Sequence, residues 1–290
     1  MSEKLKIGIL VSGELGLSSL KHLLHKETVA FVFTDKKSTA IIELAQTNGI
    51  KCFAGNPRKG AADKFLEEVE GIEVLASINY LFLIDENLIE LPKKISFNVH
   101  GSLLPKYRGR TPHVWSIINN ELETGITAHI IDKNCDSGDI LKQIIIPIEE
   151  NDTGASILNK FSKLYPKLID AVLLDLKNDN LTPQKQDHGK ATYFGERTPE
   201  DGRINWNWSK ERIRNWVRAQ ASPYPGAFCF YDDKKIIIDK VDFSSHAFKA
   251  DMENGLVLRA NPLVIKTPNG ALEITKLRNE IKLYKNQILK

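Results

Sequence analysis

The chain of 290 residues is poor in cysteine and methionine and carries almost no excess of charge. Cys52, Cys135 and Cys229 are far apart and odd in number. They make neither a disulfide framework nor a zinc motif, so no metal is expected. No apolar run reaches the roughly 18 residues of a membrane helix. The opening MSEKLKIGIL also lacks the apolar core of a signal peptide, which predicts a cytoplasmic protein with no membrane partner. Forty Lys and Arg against thirty-seven Asp and Glu leave a net charge of +3. Nucleic-acid domains usually show a basic stripe, and this balance gives no sign of one. Gly8, Gly13 and Gly16 do not have the G-x-G-x-x-G spacing of a dinucleotide loop, which disfavours a nicotinamide enzyme. What remains is globular: 42% hydrophobic and 27% charged residues, in a length that fits about two domains.

Short apolar runs alternate with helical stripes through the first half. KIGILV (6–11), VAFVFT (29–34), 50–53, VLASI (74–78) and ISFNV (95–99) read as strands. After a turn over 12–16, Leu17, Leu20, Leu23 and Leu24 fit a helix. Ile41, Ile42, Leu44 and Ala45 fit a second, and Phe65, Leu66 and Val69 a third. This alternation predicts an α/β fold, a Rossmann-like parallel sheet with helices on both faces. Ligands of such sheets bind beyond the carboxyl ends of the strands. Strands at 126–131 and 140–146 flank a polar loop. A helical stripe from Phe161 to Leu176 contains Pro166, which predicts a kink or a late start. Residues 178–205 turn polar. The pattern predicts domains over 1–190 and 209–290 joined by a linker over 191–208. After a helix over 209–220 with Ser209 as N-cap, five short strands predict a small β-rich, OB-like domain. Asp232-Asp233 and Pro268-Asn269-Gly270 fall where hairpin turns belong.

The stretch FNVHGSLLPKYRGRTP (97–112) carries the chemistry. Asn98 and His100 are two apart at a strand end, so both side chains point to one side. A strand-end histidine alone is more often structural, but the long irregular loop that follows is of a kind that serves sites. Arg108 and Arg110 in that loop suit a phosphate or carboxylate. Asp136 sits in the polar loop NCDSGD, where an aspartate by itself is unremarkable. An Asn, a His and an Asp meeting in one cleft suit acyl transfer. The amide stabilises an oxyanion, the imidazole moves a proton and the carboxylate orients the imidazole.

FNVHGSLLPKYRG followed by TGITAHIIDKNCDSGDI closely resembles the 10-formyltetrahydrofolate-dependent formyltransferases. That family includes methionyl-tRNA, glycinamide ribonucleotide and sugar-nucleotide N-formyltransferases. The resemblance runs from about Lys6 to at least Phe230. It implies Asn98, His100 and Asp136 as the catalytic set and 10-formyltetrahydrofolate as co-substrate. Asn98 and His100 would stabilise the oxyanion, His100 would also relay the amine proton, and Asp136 would hold His100 and a water. It further implies a folate pocket walled by Tyr80, Leu81, Phe82, Leu83 and Ile84, with Lys133 and Cys135 near the pterin edge. The apolar 80–84 segment suits core packing equally well.

YFGERTPEDGRINW (193–206), SPYPGAF (222–228) and the KYRGRTP loop resemble the sugar-nucleotide subgroup, in particular the domain that formylates UDP-4-amino-4-deoxy-L-arabinose. This implies a small nucleotide-sugar substrate for surface glycan synthesis, with UDP slightly favoured over dTDP. Ser12, Gly13, Ser102, Arg108, Arg110 and Tyr224 would bind it. Phe194, Tyr224, Trp115 and Trp208 are the aromatics available to stack on a base. The first loop, LVSGE (10–14), departs from the subgroup's variants, which puts the sugar's identity in doubt. The chain ends without a second catalytic domain, which predicts a stand-alone enzyme. A homodimer through the second domain is expected on analogy. The alternatives are methionyl-tRNA formyltransferase and a non-catalytic folate-binding homologue.

Overall fold

In the computed structural model, which describes residues 3–69 and 71–290, β1 (Lys6–Val11) lies in the middle of a seven-stranded sheet. Five of its six residues are buried, as the unbroken apolar run requires. The chain continues through α1 (Gly13–Lys26), β2 (Thr28–Thr34), α2 (Thr39–Thr47) and β3 (Lys51–Ala54). It then forms α3 (Asp63–Glu67), β4 (Val74–Ile78), α4 (Glu86–Ile89) and β5 (Ile95–His100). β6 (Arg108–Gly109), α5 (Pro112–Ile118), β7 (Glu123–Ile130) and β8 (Ile140–Pro147) follow. The strand order is β3-β2-β1-β4-β5-β7-β8. The first five strands are parallel, whereas β7 joins β5 antiparallel. The sheet is therefore mixed rather than wholly parallel. The antiparallel pairing sets residues of β7 directly opposite the Asn-x-His strand.

α1 starts earlier than the expected turn allowed. Gly16 lies inside its first turns, and a Cβ there would come within 2.9 Å of the Val11 side chain. The missing side chain lets the helix begin directly against the end of β1. Phe31, Phe33, Leu75, Leu10 and Ile72 form a buried cluster, edged by Phe53 and Phe65. Ring pairs at 5.1–6.2 Å fix its packing.

α6 runs unbroken from Gly154 to Lys177 through Pro166, so the late start expected at the proline does not occur. Phe161, Tyr165, Leu168, Ile169 and Val172 are all buried. Burial contributes about 1.5–3 kcal/mol for each such side chain, against ~3 kcal/mol for an interior proline. The stripe on both sides of Pro166 therefore outweighs it.

By contacts the chain forms two units. One comprises residues 1–109, 125–146 and 160–193, and the other 110–124, 147–159 and 194–290. β9 (Tyr193–Phe194) pairs with β6. In the second unit α7 (Lys210–Gln220) is capped by Ser209, whose hydroxyl accepts from the Arg212 amide at 3.3 Å. β10 (Ala227–Tyr231), β11 (Lys234–Ser244), β12 (Val257–Ala260), β13 (Leu263–Thr267) and β14 (Gly270–Leu277) form an antiparallel sheet ordered β10-β11-β14-β13-β12. Residues 286–290 bond to both of its edges. Asn286 and Gln287 pair with Val257 of β12, and Lys290 exchanges two backbone bonds with Phe230 of β10. That segment closes the five strands into a small barrel.

Candidate active site

Asn98 and His100 end β5, and the β5–β7 register places His129 opposite Asn98 and Thr127 opposite His100. The Asn98 amide nitrogen donates to His129 Nε2 at 3.1 Å, while His129 Nδ1–H donates to the Ile130 carbonyl at 2.8 Å. These two contacts orient the His129 ring and the Asn98 amide. His100 Nε2–H donates to the Tyr107 carbonyl at 2.8 Å, which turns Nδ1 toward Asp136 Oδ1, 3.5 Å away.

Asp136 lies in the loop between β7 and β8 with φ of 54°, a left-handed conformation unusual for a residue other than glycine. Its Oδ2 accepts from the Gly109 amide at 2.9 Å, and its Oδ1 also faces His129 Nε2 at 3.6 Å. Burial raises the pKa of this carboxyl. The imidazoles of His100 and His129 beside it and the Gly109 amide outweigh burial and hold it well below the usual range. Asp136 is therefore ionised at neutral pH beside two imidazoles.

The loop that presents Asp136 is held from behind. Gln186 Nε2 donates to the carbonyls of Asp136 (2.9 Å) and Gly138 (2.7 Å). The Gln186 carbonyl accepts from Arg108 Nη2 at 2.6 Å. Arg108 is only 1% exposed, and its guanidinium also contacts the Tyr193 hydroxyl at 2.6 Å and His188 Nδ1 at 3.0 Å. The arginine expected to reach a substrate phosphate is thus turned into the protein, behind the aspartate.

The other expected site residues divide into those gathered around this cluster and those placed elsewhere. Ser102 is 1% exposed, and its hydroxyl donates to the Lys106 carbonyl, so it braces the loop after β5. Cys135 and Lys133 are exposed in the Asp136 loop, and the Cys135 thiol donates to Asp136 Oδ2 at 3.3 Å. Tyr80 and Ile84 pack onto the Phe31–Phe33 cluster, with Phe82 edge-on to Tyr80 at 5.5 Å. Leu81 and Leu83 point outward, 44% and 60% exposed. Ser12 and Gly13 share a pocket of about 390 Å³ with Leu81. In the second unit Arg110 is exposed, and its backbone amide donates to the Phe194 carbonyl. The Tyr224 hydroxyl bonds His113 Nε2 at 2.9 Å. Burial pushes the His113 pKa down to about 4 and that of Tyr224 up to about 12. The aromatics considered for base stacking already have neighbours within that unit. Trp115 lies over Phe194 and under Arg197, and Trp208 meets Trp216.

His129, Gln186 and His188 were not singled out from sequence. His129 had a signal, because in TAHI it alternates with Thr127 on a strand beside N-x-H. Gln186 and His188 had none.

The profile described as "Formyl transferase" matches residues 6–173, and that described as "Formyl transferase, C-terminal domain" matches 197–285. Among solved structures, the chain is similar to WlaRD, a sugar 3N-formyl transferase determined with dTDP and 5-N-formyl-THF. The two share 23% identity over 96% of this chain and 100% of that one, with a TM-score of 0.75. It is also similar to an N-formyltransferase from Helicobacter canadensis in complex with folinic acid and dTDP-3-aminofucose (23% identity, 94% and 99% coverage, TM-score 0.69). A 4-N formyltransferase from Francisella tularensis matches at 23% identity over 81% of this chain and 96% of that one, with a TM-score of 0.63.

Proposed function

Because the chain belongs to the formyl transferase family, we propose that it moves a formyl group from 10-formyltetrahydrofolate to the primary amine of a nucleotide-linked amino sugar. The observation that carries this reading is the cluster of Asn98, His100, His129 and ionised Asp136 at the end of β5. The substrate amine adds to the formyl carbon, the bond from that carbon to the folate nitrogen breaks, and one proton passes from the amine to that nitrogen. One Asn98 amide hydrogen is taken by His129. The other is available to the formyl oxygen as it gains charge, an interaction commonly worth about 3–4 kcal/mol. His100 Nδ1 takes up the amine proton, and Asp136 stabilises the imidazolium from 3.5 Å.

The exposed apolar side chains of Leu81 and Leu83, just beyond β4, fit one face of a pterin. The exposed Lys133–Cys135 segment supplies backbone groups for its edge. The sugar-nucleotide reading is supported by relatives solved with dTDP or dTDP-3-aminofucose. They weigh toward dTDP, against the slight preference for UDP drawn from sequence. The three free cysteines accord with a reducing compartment such as the cytoplasm. No helix among the described residues is long and apolar enough to cross a membrane. A homodimer without nucleic-acid partners completes the proposal.

The test is to incubate the protein with formyl-folate and a panel of UDP- and dTDP-linked 3-amino and 4-amino sugars, with charged initiator tRNA as a further arm. The expected result is the mass gain of one formyl group on an amino sugar. Formylation of the tRNA and of no sugar would overturn the proposal.

A further inference from the structure

The loop after β5 turns two backbone groups onto the catalytic pair. The Tyr107 carbonyl meets His100 Nε2 at 2.8 Å, and the Gly109 amide donates to Asp136 Oδ2 at 2.9 Å. A carbonyl oxygen can only accept, so Nε2 carries a hydrogen and Nδ1 keeps its lone pair in the neutral ring. Nδ1 is the nitrogen that faces Asp136. The direction of one peptide carbonyl therefore decides which nitrogen of His100 can act as a base.

That carbonyl belongs to a strained residue. Tyr107 has φ of 61°, in the left-handed region that a bulky side chain rarely adopts. Its surroundings must hold it there. At the start of the loop, the Thr127 hydroxyl donates to the Ser102 carbonyl at 2.6 Å and accepts from the Leu104 amide (3.2 Å) and Gln143 Nε2 (2.9 Å). Ser102 in turn donates to the Lys106 carbonyl at 2.7 Å. These bonds stop one residue short of Tyr107. At Tyr107 itself the partner is Thr192. Its hydroxyl accepts from the Tyr107 amide at 2.8 Å, and its carbonyl accepts from the Arg108 amide at 2.9 Å. The first bond fixes the peptide before Tyr107, and with it φ. The second fixes the peptide after it. The Arg108 N–H and the Tyr107 C=O share that peptide and point opposite ways across a trans bond. With the N–H tied to Thr192, the C=O is turned to His100. Without the hydroxyl, Tyr107 can relax to a negative φ, which carries its carbonyl away from the ring.

We propose that Thr192 is a positioning residue for formyl transfer. By pinning Tyr107 on both sides it keeps His100 in the Nε2–H tautomer, with Nδ1 open to the amine proton. The task given to Nδ1 rests on the formyl-transfer reading above, whereas the control of the tautomer does not.

The test compares wild type, Thr192→Val and Thr192→Ser as full chains. Valine keeps the shape and removes the acceptor, and serine keeps the acceptor. Thr192 is exposed, so neither change opens the core. Nitrogen-15 NMR of histidine-labelled protein without substrate reads the tautomer, the His100 signals being those lost in His100→Gln. The neutral ring should be Nε2–H in wild type and a mixture of both forms in Thr192→Val. Kinetics with formyl-folate and the amino sugar should show kcat about tenfold to hundredfold lower in Thr192→Val, the scale of a misplacement near 1 Å. KM for both substrates should stay within about twofold, and Thr192→Ser should keep kcat within about threefold of wild type. Thr192→Ala, equally without an acceptor, gives the same reading if Thr192→Val does not fold. Wild type with Nδ1–H overturns the proposal whatever the variants do. So does an acceptor-less variant that keeps wild-type kcat, or one that loses kcat with His100 still wholly Nε2–H. A tautomer that shifts as expected in a protein that formylates no amino sugar upholds the control of His100 and overturns the formyl-transfer reading instead.

Discussion

Asn98 and His129 face each other across β5 and β7, and the amide of one donates to the ring nitrogen of the other at 3.1 Å. The amide proposed to bind the oxyanion is therefore aimed by a histidine that itself has no spare donor in its neutral form, because Nδ1–H is spent on Ile130. Replacing His129 with Leu should leave the strand pairing intact but free the Asn98 amide to rotate. We expect kcat to fall about tenfold to hundredfold, the scale of a misplacement near 1 Å. His129→Gln can offer a carbonyl acceptor to the same amide and should recover part of the loss. Steady-state kinetics of the two variants check this, and equal activity in wild type and His129→Leu would remove His129 from the site.

Asp136 makes the site acid-sensitive. Its folded-state pKa lies below the unfolded value of 3.8. The unfolded chain then binds its proton first as pH drops. The stabilisation is complete above about pH 4–5 and is lost as pH falls further toward the folded pKa. Asp136→Asn should be less stable than wild type at pH 7 and at pH 5, and the gap should have begun to narrow at pH 3. Urea unfolding at the three values measures it. Turnover of the same variant at pH 7 should be lower by more than a hundredfold, because the imidazolium of His100 loses its counter-charge.

Gly138 sets the loop's path. A Cβ there would lie 2.0 Å from the Ile130 carbonyl oxygen, and that is backbone, which cannot swing aside. Gly138→Ala must displace either β7 or the turn that carries Asp136. The expected cost is ~2 kcal/mol or more of stability, typical of overpacking, together with reduced kcat. Circular dichroism melts and kinetics would show both. A variant with wild-type Tm and kcat would show that the loop has a second path.

The strands of both units were legible because buried parallel strands are unbroken apolar runs and hairpins carry turn residues. Asp232-Asp233 and Pro268-Asn269 do sit between paired strand ends. Asn98, His100 and Asp136 were found through motif and loop position. The antiparallel entry of β7 was not legible, because alternation of apolar residues does not report strand direction. Closure of the barrel by residues 286–290 was hidden for a related reason. NQILK has no strand pattern of its own and is held by backbone bonds to two edges. The burial of Arg108 depends on Gln186, His188 and Tyr193, some eighty residues away, and nothing local to KYRGRTP reveals it.

That burial yields a prediction opposite to the one charge alone would make. If Arg108 met a substrate phosphate, Arg108→Lys would mainly raise KM for the nucleotide sugar. In the structure its guanidinium is engaged by Tyr193, Gln186 and His188, and Gln186 in turn grips the carbonyls of Asp136 and Gly138. Lysine lacks the planar fork that reaches all three partners. The substitution should therefore leave Gln186 or Tyr193 without its donor, at a cost of about 1–3 kcal/mol for a buried unsatisfied group. The Asp136 loop would loosen, so kcat should drop while KM for the sugar stays within about twofold. Gln186→Leu should act in the same direction, and the double variant should lose less than the sum of the two, since both interrupt one chain of bonds. Additive losses, or a KM effect in Arg108→Lys alone, would place Arg108 in contact with substrate instead.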